Sequence, residues 1–172
     1  MISTAIHDLE AMAWISGSPI ERVYAESLVK RCAEWGHEDA VVATIRFASG
    51  AIGILETSWV MPTTLPAGLE AMFDLVGTAG GIMITGSHHG MSLLTAERYT
   101  LPDLGNWPIG AFGVGGALQT QLSQVIRALL SDTPLPISLT EARAAHVAVA
   151  AIKQSLVHGL PVRLADVDGA GR

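Results

Sequence analysis

The feature that most constrains the fold of this chain is a long run of short strand-like segments with short breaks between them. Glycine, proline or polar residues separate the predicted strands, which are residues 20–30, 40–47, 51–60, 69–76, 81–85 and 91–96. A parallel pair needs a crossover of about a dozen residues or more, and these connections are shorter. The pattern therefore predicts a mostly antiparallel sheet of six or more strands, with a tight turn at Gly50 that favours positive φ.

Helical periodicity flanks this region on both sides. A first helix is predicted over residues 7–17, a second over 118–130 and a third over 138–159, where a capping-box pattern opens the helix and Gly159 ends it. A short strand at residues 161–164 and a frayed tail follow. Three helices cover only one face of such a sheet. We therefore expect a single α+β domain over residues 1–172, an open sheet with its helices on one face.

The apolar composition suggests that the other face of the sheet is also covered. Mean hydropathy is +0.41. In residues 40–47, Ile45 and Phe47 share one face while Thr44 and Arg46 share the other, but in residues 51–60 neither face is plainly polar, because Ile52 and Ile54 oppose Leu55. Large apolar patches on soluble chains mark interaction surfaces, and two-fold pairing closes such a patch on itself. We expect a homo-oligomer, dimer or tetramer, through the open sheet face, burying on the order of 2,000 Å² or more.

Charge and composition exclude several classes of protein. A net charge of −6 argues against nucleic acid as a partner, because phosphate binding needs a basic surface. Residues 75–96 and 104–126 are uncharged over long runs but too rich in glycine and polar residues for membrane spans. The start of the chain lacks the pattern of a secretory signal, and the single Cys32 fits a reducing cytoplasm.

His7 is the first candidate for chemistry. Imidazole titrates near neutral pH and can act as a general acid or base. The alternative is a structural histidine at the start of a helix, where Asp8 and Glu10 favour the positive end of the helix dipole.

Other candidates are weaker. The adjacent His88 and His89 point to opposite faces of an extended segment, so a turn is favoured over a metal site. The glycines at 77–81 and 113–116 fit neither nucleotide-loop pattern, so we expect no nucleotide or metal cofactor bound by this chain. Asn106 and Trp107 lie in a loop, and Trp107 either lines a ligand pocket or caps the core.

Four stretches in this order resemble the C-terminal domain of the glucose–fructose oxidoreductase/inositol dehydrogenase/MocA (Gfo/Idh/MocA) family. They are AIHDLEAMAWI at 5–15, ATIRFASGAIG at 43–53, LVGTAGGI at 75–82, and PLPISLTEARAA at 134–145 followed by GLPV at 159–162. The likeness runs from Ala5 to Leu164. It implies a fold like the C-terminal domains of dihydrodipicolinate reductase and glyceraldehyde-phosphate dehydrogenase, with the open sheet pairing with another subunit.

The resemblance also implies a function. Members join this domain to an N-terminal Rossmann domain that binds NAD or NADP, and oxidise a secondary alcohol of a sugar, inositol or related polyol. His7 aligns with a histidine beside the nicotinamide and the substrate carbinol, and Asn106 and Trp107 become candidate substrate contacts.

This chain departs from the family in two ways. Ser3 stands where an aspartate is usual, and a hydroxyl cannot raise the pKa of a histidine as a carboxylate does. The sequence contains no Rossmann domain with its glycine loop and Glu-Lys-Pro segment. We therefore interpret residue 1 as the point where a longer protein was cut or as an internal start. We expect the chain alone to be inactive.

Two alternatives stay open. One is a stand-alone, non-catalytic dimerisation or ligand-binding module. The other is a metal-assisted lyase or hydrolase that uses His7 with His88 or His89.

Overall fold

The computed structural model describes residues 2–66, 70–86, 88, 90–111 and 113–169, with the side chains of its first and last helices described from residue 4 and up to residue 167. The described helices are α1 (Ile2–Ser16), α2 (Ala117–Ser131), α3 (Leu139–His158) and α4 (Leu164–Gly169). The described strands are β1 (Ile20–Leu28), β2 (Ala40–Phe47), β3 (Ile52–Ser58), β4 (Met72–Gly77), β5 (Gly80–Thr85), β6 (Leu93–Leu94), β7 (Tyr99–Thr100), β8 (Ile109–Gly110), β9 (Gly113–Val114) and β10 (Val162–Arg163).

The chain forms two units, which are residues 1–61 with 137–172 and residues 62–136. The first unit is built on an antiparallel sheet of order β10-β1-β2-β3. Its β2–β3 hairpin turns at Gly50, whose φ of 91° confirms the predicted left-handed glycine. The predicted α+β class is confirmed.

The core of the first unit lies between one face of this sheet and helices α1 and α3. Along β2, burial alternates residue by residue, as one packed face requires. Helix α3 packs against β1 and α1, and α1 also packs against β3. The buried cluster is Ala5, Leu9, Val23, Ala25, Val41, Ala43, Ile45, Phe47, Leu55, Ala148, Ala151 and Ile152.

A buried serine joins helix α3 to strand β1. The Ala25 N–H donates to Ser155 Oγ over 2.9 Å, and Ser155 Oγ donates to the Leu160 carbonyl over 2.8 Å. Both hydrogen-bonding roles of the hydroxyl are thus used inside the core, where an unpaired polar group is costly.

Both ends of α3 follow the sequence prediction. Ser138 Oγ accepts from the Glu141 N–H over 3.2 Å, and Glu141 Oε2 accepts from the Ser138 N–H over 2.8 Å. Gly159 ends the helix with a φ of 65° and donates its N–H to the Ser155 carbonyl.

Helix α1 begins earlier than predicted. It starts at Ile2 rather than at residue 7, because Ala5 and Leu9, one turn apart, are both buried and extend the packed face toward the N-terminus. Trp14, predicted on the apolar stripe, is 78% exposed. At about 100° per residue, it lies opposite Ala5 on the helix.

The predicted frayed tail is also wrong. Residues 164–169 form helix α4, because Leu164 and Val167, three residues apart, pack against the core of the first unit.

The second unit contains two-stranded pairings and a helix. Strands β4 and β5 form a hairpin in which Gly77 pairs with Gly80, as the predicted turn requires. Strands β6 and β7 pair, as do β8 and β9, and each has only two residues. Helix α2 follows directly.

The predicted single sheet of six or more strands is therefore wrong for the part of the chain that is described, where the largest sheet has four strands. Prolines at positions 62 and 66 lie just after β3, and Pro62 accepts a turn hydrogen bond from Leu65. Proline has no N–H to extend a ladder, which favours ending the pairing there.

Helix α2 carries the predicted apolar stripe, but within the chain this stripe is largely uncovered. Leu122 and Ile126 are exposed, and Ala128 is the buried residue of the helix. None of the described helices is long and apolar enough to span a membrane.

Candidate functional site

His7 lies in the second turn of α1, and its side chain is exposed. The helix has no acidic residue in its first turn, so the interpretation of His7 as a helix-start residue beside dipole-favouring acids is wrong. Ser3 lies one turn before His7 on the same helix, but its side chain is outside the described residues.

His7 shares its helix face with an exposed apolar stripe. Residues four, seven and eight positions later, which are Ala11, Trp14 and Ile15, fall on the same side of the helix. Trp14 and Ile15 are exposed, whereas Ala5 and Leu9 on the opposite side are buried. The imidazole therefore stands on a surface of α1 that packs against nothing in the first unit's core.

Asp8 follows His7 directly in α1, and the structure adds an electrostatic interaction between them that the sequence analysis did not predict. Burial raises the pKa of the Asp8 carboxyl, and the charge of His7 acts in the opposite direction and lowers it. Adjacent helix positions do not face each other, so this interaction acts through space rather than through a hydrogen bond. In the sequence, the only sign of this interaction was that a carboxylate residue directly follows a candidate catalytic histidine.

Asn106 and Trp107 lie in the second unit, in a loop organised by Asp103. Asp103 Oδ1 accepts from the N–H groups of Gly105 and Asn106 over 2.9 and 2.8 Å, and its Oδ2 accepts from Asn106 Nδ2 over 2.9 Å. Trp107 follows this turn with its ring about half exposed. A side chain held at the end of such a rigid turn is well placed to contact a ligand.

The same loop closes the N-terminus of α2. The Ala117 N–H donates to the Gly105 carbonyl over 2.9 Å, and the Leu118 N–H donates to the Asn106 carbonyl over 3.3 Å. A Cβ at Gly116 would come within 2.7 Å of both carbonyl oxygens. Free amides at a helix N-terminus are what cradle a pyrophosphate, and here the first two amides of α2 already donate to loop carbonyls.

His88 lies in the second unit. His88 Nδ1 accepts from the Gly90 N–H over 3.1 Å, which is a local turn contact, and His89 lies outside the described residues. Among the described side chains, no group of three or more histidine, cysteine, aspartate or glutamate residues is placed to hold a metal ion.

The sequence analysis also missed Asp39, a buried carboxylate. Its two oxygens accept from the N–H groups of Arg31 and Cys32 over 2.7 and 2.6 Å. Burial opposes ionisation, but these hydrogen bonds outweigh it and lower the pKa of Asp39. A hydrogen bond with Asp39 raises the pKa of the Cys32 thiol, so Cys32 lacks the thiolate character of a reactive cysteine.

The sequence of this chain is similar to those of known proteins. Residues 1–83 match the family profile of the GFO/IDH/MocA C-terminal domain. The chain is 25% identical over 173 aligned positions to myo-inositol 2-dehydrogenase from Thermotoga maritima, covering 98% of this chain and 50% of that protein.

Solved structures agree on the fold. GenD2 from gentamicin A biosynthesis, in complex with NAD, superposes with a TM-score of 0.77 at 22% identity, over 94% of this chain and 46% of that one. Scyllo-inositol dehydrogenase from Lactobacillus casei, with bound NAD(H) and scyllo-inositol, gives 0.68 at 16% identity, over 94% and 47%. The chain spans about half the length of each of these relatives.

Proposed function

Since residues 1–83 match the profile of the GFO/IDH/MocA C-terminal domain, we propose that the chain is the substrate-facing and self-associating half of an NAD(P)-dependent oxidoreductase. The observation that carries this proposal is the exposed face of α1, where His7 stands beside Trp14 and Ile15 away from the core. An exposed histidine among uncovered apolar side chains is suited to a site completed by another domain.

His7 is the proposed acid–base group. Its imidazole would take the proton from a substrate hydroxyl, or orient that hydroxyl, and a nicotinamide held by the other half of the protein would supply the hydride acceptor. Ser3 stands where the resemblance places an aspartate, so this chain has no carboxylate at that position of the sequence.

The nicotinamide cofactor is assigned to the other half of the protein. The amides that open α2 bond to the Gly105 and Asn106 carbonyls, so this helix start does not fit a pyrophosphate. The relatives are about twice as long as the part that this chain matches, which leaves room in the parent protein for a nucleotide-binding domain.

The proposed substrate is a sugar, an inositol or a related polyol. The full-length relative is named as an inositol dehydrogenase, and Asn106 and Trp107 supply an amide and an aromatic surface, groups that suit a polyhydroxylated ring. The proposed location is the cytoplasm, which the single Cys32 fits.

Self-association through the uncovered sheet face is also part of the proposal. On β2 and β3 the side opposite the core presents Val42, Ile52 and Ile54, of which Ile52 is 79% exposed and Ile54 73%. Apolar side chains in neighbouring strands form a patch of the kind that marks protein interfaces.

The second candidate is a non-catalytic module of the same fold. The closed N-terminus of α2 is compatible with this candidate, as it is with the first one, because in both of them that helix start holds no nucleotide. In this case the sheet face would still self-associate, but His7 would have no chemical role.

The test joins this chain to the reading frame upstream of it and measures NAD- and NADP-dependent oxidation of inositols and sugars. We expect the longer protein to be active, and His7→Ala to lower kcat by about 10²–10⁴-fold with a much smaller change in KM. His37→Ala, at an exposed loop histidine, is the matched control and should leave kcat unchanged.

Two results would reject the proposal. One is an upstream frame without a nucleotide-binding domain, which would favour the non-catalytic module. The other is an active longer protein in which His7→Ala retains full kcat. Calorimetric titration of the present chain should show no nicotinamide nucleotide site below millimolar concentration, and a micromolar site would contradict the assignment of the cofactor to the other half.

A further inference from the structure

A cleft with two tryptophan side chains lies at one end of the four-stranded sheet, and we call it the tryptophan cleft. Leu28, Ala40 and Ser58 are paired across β1, β2 and β3, so the segments that follow β1 and β3 leave the sheet at the same end. The first segment lines the cleft with Arg31, Cys32, Glu34 and Trp35, and the second with Trp59 and Met61. Its volume of about 430 Å³ is within the range of small-molecule sites.

One buried residue, Asp39, holds both walls of the cleft. Its side-chain oxygens accept from the N–H groups of Arg31 and Cys32 over 2.7 and 2.6 Å, which fixes the first wall. Its backbone carbonyl accepts from the Trp59 N–H and from the Ser58 hydroxyl, each over 3.1 Å, which fixes the second. Asp39 is 1% exposed, so water does not compete for these bonds. The walls are therefore ordered before any ligand binds, and preorganisation lowers the cost of binding.

The two tryptophans have no structural partner that explains their position. Trp35 is 66% exposed and Trp59 61%, although indole is a large apolar group that folded chains mostly bury. Within the described residues, neither indole N–H donates to a protein acceptor. Exposed aromatic rings with free donors suit a ligand that has both an apolar face and hydrogen-bond acceptors.

The charges of the cleft favour a neutral ligand. Arg31 and Glu34 supply one charge of each sign, and in the described part of the chain neither forms an ion pair. A hydrogen bond with Asp39 raises the pKa of the Cys32 thiol, so the thiol adds no charge. Glu34 would repel an anion and Arg31 a cation. Hydroxyl groups, in contrast, can accept from the guanidinium and donate to the carboxylate.

We propose that the tryptophan cleft binds a neutral sugar ring, whose apolar C–H face packs on the indole rings while its hydroxyls bond to Arg31 and Glu34. His7, Asn106 and Trp107 are not among the lining residues. The cleft is therefore a sugar-binding position apart from the site proposed for oxidation, and it does not depend on that function. It belongs entirely to the first unit.

The test follows the indole N–H signals of the four tryptophans by two-dimensional NMR, during titration of the whole chain with the methyl glycosides of glucose, galactose and mannose. We expect saturable shifts at Trp35 and Trp59, with dissociation constants in the millimolar range. Trp35→Ala and Trp59→Ala should each weaken binding by about tenfold. Trp35→Phe, which keeps an aromatic face without the N–H, should weaken it less. Because both side chains are exposed, circular dichroism should match the wild type.

Trp107→Ala separates the cleft from the loop of the second unit, and it should leave the shifts at Trp35 and Trp59 unchanged. If the glycosides lose affinity with Trp107→Ala but not with the two cleft variants, they bind at that loop, so the cleft proposal is overturned and the proposed function stands.

Three other results overturn the cleft proposal. One is the absence of saturable shifts at Trp35 and Trp59 with every glycoside at tens of millimolar. Another is a response of these two signals to tetramethylammonium or to a proline-rich peptide in place of the glycosides. The third is the loss of the shifts when the chain is joined to its upstream reading frame, which would mean that the added part covers the cleft.

Discussion

The first unit and the second unit differ in how much apolar surface each buries by itself. Among the described residues, the first unit contains nearly all the buried apolar side chains, in a layer between its sheet and helices α1 and α3. In the second unit Ala128 is the buried apolar residue, while Val76 is 90% exposed and Leu129 71%. Similar apolar patterns in the sequence therefore produce a core in one unit and a surface in the other.

The difference shows what holds each unit together. Burial of apolar area is the main favourable contribution to folding, and the first unit has it. The second unit relies on local hydrogen-bonded turns, such as the one that Asp103 organises before Asn106. Mean hydropathy reports how apolar a chain is and does not report where that surface is covered.

The largest effect expected from this comparison is at Ile152, which is fully buried in α3. Ile152→Ala should lower the free energy of unfolding by about 2–5 kcal/mol, because it leaves a cavity in a packed layer. Leu129→Ala, on the exposed side of α2, is the matched control and should change it by no more than about 0.5 kcal/mol. Urea denaturation measures both. Equal losses of unfolding free energy at the two positions would contradict the difference in apolar burial between the two units.

An intermediate effect is expected at Ser155. Ser155→Ala leaves the Ala25 N–H and the Leu160 carbonyl without their partner in the core, which should cost about 1–3 kcal/mol. Hydrogen exchange at the Ala25 amide should accelerate in parallel. Ser123→Ala, at an exposed position of α2, provides the comparison from the second unit. If Ser123→Ala destabilises the chain as much as Ser155→Ala does, the hydrogen bonds of the buried Ser155 hydroxyl make no special contribution to the first unit.

The smallest effect is expected at the start of α3. Ser138→Ala removes the side-chain cap and should cost about 1 kcal/mol at neutral pH, whereas Thr140→Ala, two residues into the exposed first turn, keeps the cap. The Ser138 side chain, and then its backbone N–H, lower the pKa of Glu141. A lowered carboxyl pKa stabilises the fold above the unfolded-state pKa, and this contribution is lost as the pH falls through the folded value.

The difference between wild type and Ser138→Ala should therefore narrow on acidification below about pH 4. Thermal unfolding between neutral pH and pH 3 measures it. A difference that stays constant over that range would mean that the Glu141 carboxylate takes no part in the cap.

Local signals predicted their elements well. The polar and glycine breaks around residues 40–47 gave strand β2 its observed bounds, and Ser138, Gly50 and Gly159 behave as their turn and cap chemistry requires. These positions depend on the conformation of a few neighbouring residues, which a sequence contains in full.

What failed depends on contacts between distant parts of the chain. Which side of α1 packs was decided by Ala5, which lies before the predicted start of the helix, and by Leu9, whereas Trp14 lies on the exposed side. The two-residue strands β7, β8 and β9 are too short to give a period. In the candidate site, His7, Asn106 and Trp107 were proposed from residue type and resemblance. The raised pKa of Asp8 could not be predicted in this way, because it depends on a partial burial that only the structure shows.

The division of the first unit into two sequence segments has a consequence for how the chain folds during synthesis. Strand β1 bonds to Ser155, which lies 130 residues later, and β10 is added to the edge of the sheet after that. At a synthesis rate of about 5–20 residues per second, the β1–β3 sheet waits several seconds or more for the helix that covers its apolar face. Until α3 is made, α1 is the one core helix available to that face, and the part of the sheet that α3 covers, along β1, stays exposed. We therefore expect this chain to depend on chaperones during its synthesis more than its size alone would suggest.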